Sequence, residues 1–423
     1  MKYWIVAGIL LSPHCALAAE DVQNANQTAQ SKQPIEAKAA IAADSQTGQI
    51  LYAKNINQKL PIASMTKMIS MAVVIDQIRD HHLSWDTPIK IDQKLSDLSQ
   101  NTELSNVPLE AGKSYSVRDL FDASIVQSAN AAVMALANKV AGNQEKFVDL
   151  MRQKVKSWGI KDAHLITATG LNNKYLAGYR YPGTSKDDEN KMTARDVAIV
   201  AQHIVNDYPE FLKVSRQSTM TFDKQGTQPI EMTNWNRMLQ GLPVYTPGVD
   251  GLKTGTTEAA GACFAGTITR NHWRIVTVVM NVKNGMDDKN ARFVQTQHLM
   301  NDVYNDWEQK TVAKKGAALK QVPPAQVPYG KEKKVDLVAG QNITLAVPKQ
   351  DTNYSVKIVQ QKPLDAPVKK GEKATTIQLK AEKDLGYLTK APSYSFVTTN
   401  AVEEANFFVR IGRHIQSFFA NLF

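Results

Sequence analysis

Hydrophobic and polar positions alternate in distinct ways along the chain, and the changes mark its elements. Ala39 to Asp44 and Gln49 to Ala53 are two apolar runs around a polar turn with Gly48, the pattern of a β-hairpin. After Pro61 and Ser64 comes an almost unbroken apolar stretch, Met68 to Ile75, which predicts a helix that starts near Ser64 and passes through a core. Ser116 and Asp119 sit three apart like a capping pair before a helix that reaches Val126. The alanine-rich run Ala131 to Ala141 predicts a closely packing helix, and further helical patterns span Gln144–Trp158 and Thr193–Asn206. Thr167 to Asp188 is rich in Gly, Asn, Thr and Lys and reads as a long surface loop, of a length that is often functional. Three strand patterns follow, Gly251–Thr256, Cys263–Thr269 and Trp273–Val282, and then a helix from about Asp287 to Trp307. Strands at both ends with helices between them predict an α+β domain whose sheet pairs the N- and C-terminal strands.

The chain then changes character. Residues 313–330 are a Lys/Ala/Pro/Gly stretch that reads as a linker, and short runs such as Lys334–Val338, Ile343–Val347, Tyr354–Val359 and Thr375–Leu379 predict a small β-rich domain over 331–398. In 402–423, Phe408, Ile411, Ile415, Phe418, Phe419 and Leu422 recur at helical spacing, with Arg410 and Arg413 elsewhere on the helix. That is the pattern of an amphipathic helix lying in a membrane interface; the alternative is a terminal helix docked on its own domain.

At 423 residues the chain is long enough for two domains, here 36–312 and 331–398. Its net charge is +10, but the lysines and arginines are spread out and no basic block with interleaved aromatics appears. Nucleic acid is therefore not expected, whereas anionic wall polymer or lipid is. Lys2, the apolar run Tyr3 to Leu11 and the small residues Ala16 to Ala19 compose a secretory signal over 1–19, followed by a Gln/Asn/Ala-rich leader over 20–35. Cleavage there leaves Cys263 alone, so no internal disulfide forms. An exported protein at the outer face of the cell membrane is the expectation; nothing in the sequence calls for a metal or other cofactor.

Three short patterns carry chemistry. Ser64 and Lys67 are three apart, so on a helix they share a face, and a serine becomes a nucleophile when a neighbouring base takes its proton. A lysine is such a base when burial and nearby cations hold its pKa down. Ser128 and Asn130, on a helical segment, offer a hydroxyl to relay a proton and an amide to hold a substrate amide. On the strand through Lys253, Thr254, Gly255 and Thr256, alternation puts the threonines on one face and Lys253 with Gly255 on the other. Gly255 lets a substrate backbone come close, Lys253 and the hydroxyls suit a carboxylate, and the N–H groups of Thr256 and Ser64 are placed for an oxyanion hole. Each pattern alone reads more readily as a helix cap, a polar turn or an edge strand.

Ser-x-x-Lys, Ser-x-Asn and Lys-Thr-Gly in that order are the signature set of the penicillin-interactive serine enzymes. With Thr167-x-x-Gly170-Leu171, Thr193-Ala194-Arg195-Asp196 and Asn234 through Leu239, the chain resembles the D-alanyl-D-alanine carboxypeptidases, the low-molecular-mass penicillin-binding proteins, over nearly its whole length. The resemblance implies a β-lactamase/transpeptidase-like catalytic domain and a peptidoglycan stem peptide as substrate. Ser64 is then the nucleophile, Lys67 the base, and Ser128 with Lys253 the path of the proton to the departing D-alanine. Asn130, Lys253, Thr254, Gly255 and Thr256 would bind the peptide, Arg195 and Arg292 its carboxylate, and β-lactam antibiotics would acylate Ser64 as inhibitors. The alternatives are a DD-transpeptidase, which uses the same acyl-enzyme; a β-lactamase, which needs a loop glutamate absent from Ser157 to Asp188, with Glu189 at the far edge; and a non-catalytic wall-binding protein.

Overall fold

The computed structural model describes residues 34–176 and 178–420. The expected signal segment, and the leader up to residue 33, lie outside them. From Glu36 onward the chain forms one compact unit.

The expected sheet is present. Its order is β2 (Ile50–Lys54), β1 (Ala37–Asp44), β5 (Trp273–Val282), β4 (Gly261–Arg270) and β3 (Val249–Thr257). All four pairings are antiparallel, with Ile41 opposite Val278 and Ala265 opposite Lys253. The N-terminal hairpin is held by Asp44, whose Oδ1 accepts the N–H groups of Gln46 and Thr47 while Oδ2 accepts Trp273 Nε1–H at 2.6 Å. β3, with the Lys-Thr-Gly residues, is an edge strand, so one side of its backbone is free of sheet partners.

Helix α1 (Lys67–Arg79) runs through the core, with every residue from Lys67 to Ile75 buried. Around it pack α2 (Val117–Val126), α3 (Asn130–Ala141), α4 (Gln144–Ser157) and α5 (Ala194–Asp207), and α6 (Ala291–Asp306) closes the sheet. Ser116 caps α2 as its spacing with Asp119 foretold. Thr193 and Asp196 form a capping box on α5, which accounts for two of the four residues in that family match.

The predicted domain borders shift. β6 (Trp307–Ala313) pairs with β8 (Ile343–Pro348), so the second module begins at 307 and not after 330. The stretch 313–330 is no free linker: Val322, Ala325 and Val327 are buried in the second core, and Ala325–Gln326 pairs with Lys334–Val335. Prolines at 323, 324 and 328 and the surrounding lysines masked three apolar anchors. The rest of the module is a four-stranded sheet, β7 (Leu337–Ala339), β11 (Tyr394–Thr398), β10 (Lys373–Ala381) and β9 (Tyr354–Gln361). Val402 and Ala405 still pack on this module, so α7 begins later than foreseen, at Phe407–Ala420. Among the described residues of α7, Phe407 and Phe408 are 68% and 83% exposed, and Ile411 and Ile415 are exposed too. No described helix is long and apolar enough to cross a membrane.

The two modules are joined by built contacts. The Gln49 amide bonds both the N–H and the C=O of buried Ala346, and the β1–β2 turn pairs with residues 386–388 through Ile50 N–H to Gly386 O and Leu388 N–H to Gly48 O.

Candidate active site

Ser64 does not start the α-helix itself. It sits on a 3₁₀ turn, Ala63–Thr66, that feeds into α1. Ala63 has φ +46°, a conformation that costs energy for a residue with a side chain and persists where its surroundings impose it. The surroundings are close. A Cβ on Gly170, itself at φ +78°, would lie 1.9 Å from Ala63 O, and a Cβ on Gly255 would lie 2.6 Å from Ile62 O. Gly255 therefore makes room for the nucleophile's own turn, which corrects the expectation that it makes room for substrate. Asn190 completes the cradle: its C=O accepts Ile62 N–H, and its side chain ties Ile166 and Thr167 to Thr66 Oγ1.

Lys67 Nζ lies 2.8 Å from Ser64 Oγ, 2.8 Å from Asn130 Oδ1 and 2.9 Å from Thr169 O. The two carbonyl oxygens only accept, so a neutral amine directs its two N–H groups at them and its lone pair at the Ser64 hydroxyl. Burial holds the Lys67 pKa well below that of an ordinary lysine, and the Lys253 charge adds to this. Among the described residues no carboxylate pairs with it. Lys253, 2% exposed, has its pKa lowered to about 7 by burial and by the charge of Arg292.

Ser128 and Asn130 lie at the junction between α2 and α3, Ser128 on the turn and Asn130 at the first position of α3. Ser128 has φ +60°, and its buried Oγ makes no hydrogen bond among the described residues. Asn130 donates one N–H to Ser105 O and accepts from Lys67, so it is fixed at both ends. Trp235, 45% exposed, donates its indole N–H to Gln127 O and so braces the same turn.

Ser64, Ser128, Asn130 and Trp235 border one groove with two limbs, and Lys67 and Lys253 lie buried behind its lining. Ser64, Glu103, Ser105, Thr256 and Met286 line both. The first limb, about 330 Å³, adds Ser128, Thr254, Arg237, Lys289 and Arg292. Arg292 Nη1 donates to Gly255 O, Cys263 O and Thr256 Oγ1, which sets the threonine that faces the groove. The second limb, about 500 Å³, adds Asn130, Asn172, Lys174, Asp187, Glu189 and Glu258. The loop Thr167 to Asp188 is thus less of a surface loop than its composition suggested, since its residues 167–171 are buried under the site.

Two expectations are overturned by placement. Arg195 is remote from the groove: it donates to Asn57 Oδ1 and to the carbonyls of Tyr387 and Leu388 at the module junction. A four-residue match could not tell a carboxylate-binding arginine from one that ties two modules together. Glu189, set aside as lying at the edge of its loop, is 2% exposed and lines the second limb. Sequence reasoning also missed Thr169, Ser105, Asn190 and Arg237. Thr169, Ser105 and Asn190 act here through backbone or amide groups that nearly any sequence supplies.

A nucleophilic hydroxyl against a buried, charge-depressed lysine, with a second serine and a basic limb beside it, defines a serine acyl-transfer enzyme. The sequence profile of the D-alanyl-D-alanine carboxypeptidase family matches residues 25–284, and that of the C-terminal domain of penicillin-binding protein 5 matches residues 307–404. The chain belongs to the D-alanyl-D-alanine carboxypeptidase family. It is 30% identical to the D-alanyl-D-alanine carboxypeptidase DacA of Haemophilus influenzae over 84% of this chain and 83% of that one. A solved structure of the peptidoglycan synthesis regulatory factor PBP3 of Streptococcus pneumoniae superposes with a TM-score of 0.76 at 36% identity, covering 87% of this chain and all of that one. Penicillin-binding protein D2 of Listeria monocytogenes, solved in its cefotaxime-bound form, matches at 26% identity and a TM-score of 0.53 over 65% of this chain and 100% of that one.

Proposed function

We infer that the protein removes the terminal D-alanine from peptidoglycan stem peptides ending in D-Ala-D-Ala, through an ester on Ser64, and that β-lactams acylate the same oxygen. The observation that carries this is Lys67 Nζ, buried and 2.8 Å from Ser64 Oγ, with its pKa depressed. As Ser64 Oγ bonds to the carbonyl carbon of the penultimate D-alanine, its proton passes to Lys67. The proton then travels by Ser128 and Lys253 to the amine nitrogen of the leaving D-alanine as the C–N bond breaks. Water cleaves the ester, giving a shortened peptide with a free carboxylate and restoring Ser64. Thr254, Thr256 and the cations of the first limb hold the terminal carboxylate, and Asn130 holds the substrate amide. The protein works outside the cytoplasm, exported by residues 1–19 and held at the membrane surface by the exposed phenylalanines of α7.

The test is D-alanine release from a D-Ala-D-Ala peptide by the purified protein and by Ser64→Ala, with a competing amine present and the peptide product weighed. Release by wild type alone, giving the shortened peptide, supports the carboxypeptidase. Product joined to the amine points to a transpeptidase, and no release by either protein refutes the assignment of the site.

A further inference from the structure

The two limbs of the groove carry opposite charge. Arg237, Lys289 and Arg292 border the first, whereas the second has Asp187, Glu189 and Glu258 against one lysine, Lys174, which is already 3.6 Å from Glu258; the exposed Glu103 borders both. Glu189 differs from its neighbours. Asp187 and Glu258 are exposed to water, but Glu189 is 2% exposed. Its oxygens are held by neutral donors, Thr257 Oγ1–H at 2.7 Å and Asn172 Nδ2–H at 3.3 Å. Among the described residues no lysine, arginine or histidine lies within ion-pair distance of it. Burying a carboxylate without a counter-charge is costly, and two neutral hydrogen bonds aim the group without neutralising it. It borders a cavity that shares its wall with Ser64.

We propose that Glu189 is a specificity-determining residue that receives a primary ammonium group of the substrate, carried on the side chain of the residue just before the two D-alanines. The proposal rests on the carboxypeptidase reading. With the scissile carbonyl at Ser64 and the terminal carboxylate among the cations of the first limb, the chain on the N-terminal side of the scissile bond has the second limb to run into. A flexible amine there meets a buried acceptor that the protein itself leaves without a cation. A charge-assisted hydrogen bond to a carboxylate as buried as Glu189 is worth about tenfold in kcat/KM.

The experiment compares two peptides, Nα-acetyl-L-Lys-D-Ala-D-Ala with its side-chain amine free, and the same peptide with that amine acetylated. Wild type is expected to favour the free amine by about tenfold or more in kcat/KM, chiefly through KM. In Glu189→Gln the ratio should fall toward one, and Glu189→Asp should restore part of it. Equal rates of wild type on both peptides overturn the proposal while leaving the carboxypeptidase intact, and this comparison needs no variant to fold. A wild-type preference that survives Glu189→Gln overturns the role of Glu189. A Glu189→Gln protein that accumulates acyl-enzyme with both peptides also overturns it, since the residue then serves deacylation. No D-alanine release from either peptide defeats the carboxypeptidase reading itself.

Discussion

Replacing Gly255 by alanine separates two accounts of the Lys-Thr-Gly strand. The new methyl carbon would lie 2.6 Å from Ile62 O, 3.2 Å from Met65 Cγ and 3.3 Å from Ala63 Cβ. The first of these is backbone, at a separation below 3.0 Å that a Cβ does not sustain, so the turn bearing Ser64 must retreat from β3. Overpacking of this kind costs about 1–3 kcal/mol, a fall in Tm of a few degrees for a protein of this size. A displacement on the order of 1 Å in a reacting group lowers rate roughly a hundredfold. Expected, then, are a lower Tm, a roughly 10–100-fold slower acylation of Ser64 by a fluorescent penicillin and a matching loss in D-alanine release. If the methyl instead blocked only substrate, Tm would stay at the wild-type value and the loss would appear in KM. An unchanged Tm, or acylation at the wild-type rate, would refute the reasoning.

Other consequences are as direct. Lys67→Arg keeps a positive charge but supplies no base, and acylation should fall by about 10²–10⁴, read by penicillin labelling with a circular dichroism check of the fold. Lys67 must be neutral to take the Ser64 proton, so kcat/KM should rise with pH along a limb set well below an ordinary lysine. Lys253→Met removes a charge that depresses the Lys67 pKa, so the same limb should move to higher pH; no movement would dismiss the coupling. The folded pKa of Lys253, about 7, lies under its unfolded value near 10.5. The unfolded chain therefore binds more protons between them, and Tm should climb with pH across that window. Arg195→Ala should cost about 1–2 kcal/mol of stability and leave kcat/KM within about twofold of wild type, because its bonds go to the module junction. Ending the chain after Ala405 should abolish binding to anionic lipid vesicles while D-alanine release persists.

Much of this was legible in the order of residues. Alternation and helical period located the β1–β2 hairpin, the buried α1 and the three strands of the C-terminal meander, because each reflects a single face turned to the core. Ser64, Lys67, Ser128, Asn130 and Lys253, which the fold brings together, stand out in the sequence because the chemistry proposed for them requires particular side chains in a particular order. What stayed hidden depends on contacts between distant segments. The carbonyl of Thr169 that receives Lys67, the pressure of Gly170 and Gly255 on the nucleophile's turn, and the bracing of the Ser128 turn by Trp235 leave no local pattern, since backbone atoms and small residues look alike in any sequence. The border at Trp307 was missed because a strand that pairs with Ile343–Pro348 is defined by its partner and not by its own composition. Arg195 and Glu189 changed places for the same reason. One lies beside a functional motif yet reaches the other module, and the other ends a loop that folds back over the groove. Sequence set the parts and their reactivity; tertiary structure decided which charges are buried together, and therefore which lysine is a base and which carboxylate waits for a cation.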